Sequence, residues 1–307
     1  MKNILLIPVI VLMTLSGIVF AENSKNIDTM CKEGRYDEAL ALANSALAER
    51  EKLYGPEDVR VAETLDDMGM IYAAKGKRPE AAEFYKKALI LLEKVHGADS
   101  YRVATACLTL GGLYFDEGLN EDAEEYYRKA LFIYKKAPKP DIEKIGGVLT
   151  KIAELYYLTG RYSEAESVYE EAIPVLEKIY GADSSQVSLA NDRLAELYYY
   201  HNKFAQAEKL YRHGIDMAQG VHSDDNPRVV IPLNKLADLK FLQGKYSEAK
   251  DLYEQSLRTC EKTTGADSPR AISISRKLID TYRKIGEEKK AISLEKKVKD
   301  ISNSAKT

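Results

Sequence analysis

The stretch Val148–Gly181, VLTKIAELYYLTGRYSEAESVYEEAIPVLEKIYG, decides the fold, because variants of it recur along almost the whole chain. Gly160 opens its G-R-Y-S-E-A turn, and steps of 42 residues from it meet Gly34, Gly76, Gly118, Asn202, Gly244 and Gly286. The alanine five positions later repeats without exception, as Ala39, Ala81, Ala123, Ala165, Ala207, Ala249 and Ala291. A tyrosine four further on is nearly as regular, at Tyr85, Tyr127, Tyr169, Tyr211 and Tyr253. No insertion or deletion breaks this register, so the chain is a tandem array.

Each copy reads as two helices. Leu149, Ile152, Ala153 and Tyr156 fall at i, i+3, i+4 and i+7, one face of a helix. Gly160 ends that helix, since glycine takes the left-handed conformation a C-terminus needs. Ser163 is placed to cap the second helix, whose apolar stripe is Ala165, Val168, Tyr169, Ala172, Ile173 and Leu176. Gly181 ends it and Ser184 caps the next, in a row shared with Asp58, Ser100, Asn226 and Ser268. Pro227 and Pro269 follow two of these at the first helical position, where proline's missing N–H costs nothing.

The period alone also fits other helical repeats and propeller blades, but short alternating strands are absent. Small residues recur in the first helix at Gly69, Gly111, Ala153, Ala195 and Ala237, beside Tyr72, Tyr114, Tyr156, Tyr198 and Tyr282. With the L-Y-x-x-G-K/R-Y-x-E-A-E-x-L-Y wording and the G-A-D-S-P junction, this pattern resembles the tetratricopeptide repeat, in the long variant of kinesin light chains. The resemblance covers about residues 27–300 and implies an all-α fold, a right-handed α-solenoid of helix-turn-helix repeats.

The domain organisation follows. Residues 1–21 stand outside the array: Lys2 is followed by an almost wholly apolar run from Ile4 to Phe20, then Ala21. They read as a signal peptide cleaved before Glu22, the alternative being an uncleaved signal anchor. Residues 22–57 form a truncated N-terminal repeat, 58–267 five tandem repeats, and 268–307 a capping repeat and tail, in which Glu295 replaces the repeated tyrosine. The expectation is an exported protein, periplasmic or secreted, with no membrane span once the signal is removed. A net charge of −3 is too near neutral to imply a nucleic-acid partner.

Nothing in the sequence suggests catalysis. His96, His201, His213 and His222 are not at metal-ligand spacing, and neither a phosphate-cradling glycine loop nor a nucleophile elbow occurs. The protein is therefore expected to be no enzyme and to need no cofactor. Cys31, Cys107 and Cys260 lie nearly two or more periods apart, too far to pair when each repeat touches only its neighbours. Cys107 and Cys260 share rows with leucines and read as core thiols; Cys31 is the one placed for an intermolecular bond.

Three rows of the first helices avoid the core stripe. One is aromatic, Phe115, Tyr157, Tyr199 and Phe241; one basic, Lys151, Arg193, Lys235 and Lys277; one acidic, Glu154, Glu196, Asp238 and Asp280. The resemblance implies that they face the groove and that Asn234, in an L-N-x-L-A setting, matches an asparagine that holds a peptide backbone. The base–acid pairs also read as ordinary i, i+3 surface pairs within a helix, and the aromatic row as packed on the preceding repeat. The function expected is a scaffold that binds a protein or peptide segment on its concave face. A hydrolase or small-ligand sensor with a composite site is the alternative, as is self-association through the N-terminal half-repeat.

Overall fold

The computed structural model describes residues 26–221 and 226–304. The proposed signal peptide and His222 lie outside them. Within them every regular element is a helix: α1 (26–32), α2 (Tyr36–Tyr54), α3 (Val59–Ala74), α4 (Arg78–His96), α5 (Tyr101–Asp116), α6 (Asn120–Lys136), α7 (Ile142–Leu158), α8 (Tyr162–Tyr180), α9 (Ser185–Tyr200), α10 (Phe204–Val221), α11 (Val230–Leu242), α12 (Tyr246–Thr264), α13 (Pro269–Lys284) and α14 (Glu288–Ser304). From α3 onward the odd-numbered helices are the first helices of repeats and the even-numbered ones the second. The chain divides into two compact units, Met1–Leu155 and Tyr156–Thr307. No helix of the described residues is long and apolar enough to cross a membrane.

The repeated punctuation has a physical basis at each position. Gly76 has φ +78° and donates to the Ala73 carbonyl, while Lys77 N–H reaches back to the Tyr72 carbonyl. That pair of bonds is a Schellman close, which satisfies carbonyls the helix end would leave bare. It recurs at Gly118, Gly160, Gly244 and Gly286. Asn202 fills the same place at φ +58°, the one non-glycine residue with positive φ among the described residues.

The first helices start on the caps expected. The side chains of Asp58, Ser100, Ser184, Asn226 and Ser268 accept from the backbone N–H of Arg60, Val103, Val187, Arg228 and Ala271 respectively. In the repeat whose cap row holds Ile142, Asp141 accepts from Lys144 N–H instead. Two expectations need correction. Ser163 caps nothing: α8 begins after Arg161, without a side-chain cap, and the Arg161 guanidinium bonds Glu164 at 2.6 Å. Pro227 opens a 3-10 turn (Pro227–Val229) rather than an α-helix. Pro232, with no N–H to return to the Arg228 carbonyl, keeps that first turn from closing as α-helix.

The cores are built from the small and large rows. All seven row alanines are 0% exposed, so no larger side chain has room there. In the first unit a Cβ on Gly69 would stand 2.7 Å from the Tyr85 ring, and one on Gly111 2.5 Å from the Tyr127 ring. Glycine is thus what lets those rings seat against α3 and α5. Ile27 of α1 packs with Ala39, Ala43, Met68 and Ile71, which gives the truncated first repeat a core. In the second unit Val230, Ala237, Tyr253, Leu257, Cys260, Ile274 and Leu278 share one cluster. All three cysteines are free; Cys107 and Cys260 are buried and Cys31 is half-buried. Burial, then Asp28 and Asp67, push the Cys31 thiol up, which disfavours the thiolate that disulfide exchange requires.

Candidate functional site: the first-helix face of the second unit

Helices α9, α11 and α13 carry three of the expected rows side by side. Two of the bases, Lys235 and Lys277, meet the acid of the repeat before them, not the acid three residues on in their own helix. Lys235 Nζ donates to Glu196 Oε1 at 2.8 Å, and Lys277 Nζ to Asp238 Oδ2 at 2.7 Å. The offset is 39 residues, one period less the three that separate base from acid. The reading as intrahelical surface pairs is therefore corrected: only Arg193–Glu196, at 3.7 Å, keeps that form in this unit. The geometry explains it. Successive first helices stand close enough for a lysine to cross between them, whereas the i, i+3 partner competes poorly once that contact exists.

Each bridged carboxylate also receives a phenol. Tyr157 Oη donates to Glu196 Oε2 at 2.6 Å, and Tyr253 Oη to Asp238 Oδ1. Burial alone would raise the Glu196 carboxyl, but the bonds from Lys235 and Tyr157 outweigh it and hold it below the ordinary range. Burial lowers the Lys235 ammonium, yet Glu196 more than restores it, so its pKa lies above the usual value. Burial and the Glu196 bond push the Tyr157 phenol up to about 12. These groups stay ionised, or protonated in the case of the phenol, across physiological pH. They form a fixed polar ladder rather than an acid–base pair able to exchange protons.

Three members of the aromatic row pack against rings of their own repeats. Tyr157, Tyr199 and Phe241 are half-buried. Each leans on the ring five residues later in the turn of its own repeat, not on the preceding repeat: Tyr157 on Tyr162 at 6.0 Å, Tyr199 on Phe204 at 6.1 Å and Phe241 on Tyr246 at 5.1 Å between centroids. Tyr162 stacks on Tyr200 at 5.7 Å, and Tyr200 meets Tyr199 at 5.8 Å, so five rings run continuously from Tyr157 to Phe204. The Arg193 guanidinium sits 4.7 Å over the Tyr157 ring.

A fourth row was missed. Leu158, Tyr200 and Leu242 are the last residues of α7, α9 and α11, and are 62%, 51% and 56% exposed. They follow the aromatic row by one position, so stepping by 42 residues finds them. The signal was present in the periodicity; their exposure was not. Beside Leu242 lies a pocket of about 280 Å³ lined by Tyr199, Asp238, Phe241, Leu242, Tyr253, Lys277 and Asp280.

The remaining expected site residues fall elsewhere. Phe115, Lys151 and Glu154 belong to the first unit. Phe115 is half-buried, and position 120 in its turn is Asn120, which offers no ring. Lys151 and Glu154 are exposed and make no ion pair among the described residues. Asn234 is half-buried, and its Oδ1 is buried with no hydrogen-bond partner.

The tetratricopeptide repeat family profile matches residues 23–94, 67–136, 145–220 and 228–304. No curated protein sequence matches the chain. Among solved structures the chain is similar to BtubC (BKLC) of P. vanneervenii, at 21% identity and a TM-score of 0.59 over 75% of this chain and 92% of that one. A putative kinesin light chain with nearly identical repeats, from Podosopora anserina, matches at 16% identity and a TM-score of 0.56, over 66% and 96%. The C-terminal part of a repeat-containing protein from Cytophaga hutchinsonii matches at 15% identity and a TM-score of 0.66, over 91% and 95%. At these identities the likeness is one of fold.

Proposed function

The chain belongs to the tetratricopeptide repeat family, and on that premise we propose that it is a non-catalytic scaffold that holds a protein or peptide segment on the first-helix face of its second unit. The observation that carries this is the row Leu158, Tyr200 and Leu242, more than half exposed at the ends of successive first helices and backed by the aromatic series Tyr157, Tyr162 and Tyr199. Rings bury much area with few rotamers to freeze, so exposed aromatics on a rigid support favour binding. The ladder from Glu196 to Lys277 supplies the support.

The neighbouring pocket, at about 280 Å³, falls just below the usual range of ligand cavities, roughly 300–1,000 Å³. That size suits a side chain of a larger partner better than a small-molecule ligand. The test is capture from cell extract with the wild-type chain and with Tyr157→Ala/Tyr199→Ala. A protein held by the first and lost from the second supports the reading; equal retention removes this face from it.

The place of action proposed is the cell envelope, and this rests on the sequence of residues 1–21. N-terminal sequencing of chain recovered from the producing cells would begin at Glu22 if the segment is an export signal that is removed. An intact Met1 on all of the recovered chain would contradict cleavage.

A further inference from the structure

The acid row contains its own account of what it binds. Glu196 holds the Lys235 ammonium and the Tyr157 hydroxyl; one repeat later Asp238 holds the Lys277 ammonium and the Tyr253 hydroxyl. Asp280 is the next member of the row, and among the described residues neither a base nor a phenol bonds it. The position one period after Tyr253 is Glu295, which is drawn away to Arg283 at 2.7 Å. No lysine or arginine among the described residues bonds Asp280. Arg276 and Lys284 lie four residues either side of it on α13, both exposed and neither bonded to it.

Asp280 is not a lone surface carboxylate. It lines the pocket together with Tyr199, Asp238, Phe241, Leu242, Tyr253 and Lys277. The pocket thus offers rings, a leucine and the Asp280 carboxylate, while its other carboxylate, Asp238, is already neutralised by the Lys277 ammonium. That combination matches an apolar stem that ends in a cation. The same unit already shows each half: lysines on the two preceding carboxylates, and a guanidinium over the ring of Tyr157.

We propose that this pocket receives a lysine side chain of the bound segment, its methylenes along Phe241 and Leu242 and its ammonium on the Asp280 carboxylate. The proposal rests on the reading of the first-helix face as the binding surface, and names the chemistry that surface selects. In effect the partner supplies the lysine that the next repeat supplies at Glu196 and Asp238.

The probe is N-acetyl-lysine N-methylamide, titrated into the 307-residue chain and followed by backbone amide NMR, with the norleucine and arginine analogues beside it. Saturable shifts in α13 and at the end of α11 are expected for lysine. Asp280→Asn is expected to weaken them about two- to fivefold, the loss of one exposed ion pair, and Asp280→Glu to retain them. Asp280 is exposed, so neither variant should move the thermal midpoint appreciably. Equal shifts with norleucine, equal affinity for arginine, or an unchanged response in Asp280→Asn would each overturn the proposal.

A partner captured from extract separates the two readings. Loss on Tyr157→Ala/Tyr199→Ala with full retention by Asp280→Asn leaves the binding face in place and sinks the lysine assignment. Retention by both variants sinks both.

Discussion

Gly111 and Gly112 are neighbours in one turn of α5, yet the structure gives them opposite roles. A methyl on Gly111 would stand 2.5 Å from the Tyr127 ring, closer than carbon atoms approach. A methyl on Gly112 would meet only the Tyr127 hydroxyl, at 3.9 Å. Gly111→Ala should therefore cost about 1–3 kcal/mol by overpacking, while Gly112→Ala should add about 0.5–1 kcal/mol by helix propensity. Urea unfolding of the two variants checks both signs; a common sign would contradict the packing described. Tyr127 also explains itself through Gly112. Its buried hydroxyl has no partner, because position 112 is where Asp238 stands relative to Tyr253. Repetition made the small-residue row legible at Gly69 and Gly111. It did not separate Gly111 from Gly112, because that difference is the distance to one ring. Cys31 belongs to this scale too: with its thiol pushed up, the chain should run as a monomer on a non-reducing gel, and a dimer band lost on reduction would refute this.

At the scale of the element, the helix starts were legible where a side chain closes them and misread where none does. Ser184 accepts from Val187 N–H, whereas Ser163 is exposed in the first turn of α8 and accepts no capping bond. Ser184→Ala should thus lower stability by about 1 kcal/mol, and Ser163→Ala should change it by less than about 0.5 kcal/mol. Thermal or denaturant melts of the pair test the assignment; equal losses would restore the cap at Ser163. The error has a physical cause. The second helix follows a Schellman turn, in which the chain enters the helix directly from the preceding one, so the extended residue a side-chain cap needs never forms. The base–acid rows failed in a similar way. Spacing along one helix shows which residues share a face, but not how near the next helix comes. Lys235 and Lys277 cross to the neighbouring helix because the repeats pack at that distance.

At the scale of the whole molecule, the family and the all-helical fold were readable from periodicity, since a register unbroken from Gly34 to Gly286 leaves little other choice. The proposed face was readable in part. Tyr157, Tyr199, Phe241, Lys235, Glu196 and Asp238 do come together on the second unit, while the more exposed row after them was overlooked. A pH dependence also follows from α9. Burial pushes the Asp192 carboxyl up to about 6, with Glu196 adding to the shift and Arg193 and Lys235 opposing it. The folded chain then holds that proton more tightly than the unfolded chain, whose aspartate titrates near 3.9. Its contribution to stability falls as pH rises from about 4 through 6 and is level above that. The thermal midpoint of Asp192→Asn should gain on the wild type across that window; a constant difference would show that Asp192 titrates normally.

On the reading proposed, a partner lies across the ends of the second unit's first helices. Photo-crosslinking measures it most directly, with benzoylphenylalanine placed in turn at Tyr200, at Leu242, and at the exposed positions Ile90 and Phe132 on second helices of the first unit. Irradiation in cell extract should join one and the same protein to positions 200 and 242, and nothing of that mass to 90 or 132. Cross-links from 90 and 132 with none from 200 and 242 would contradict it.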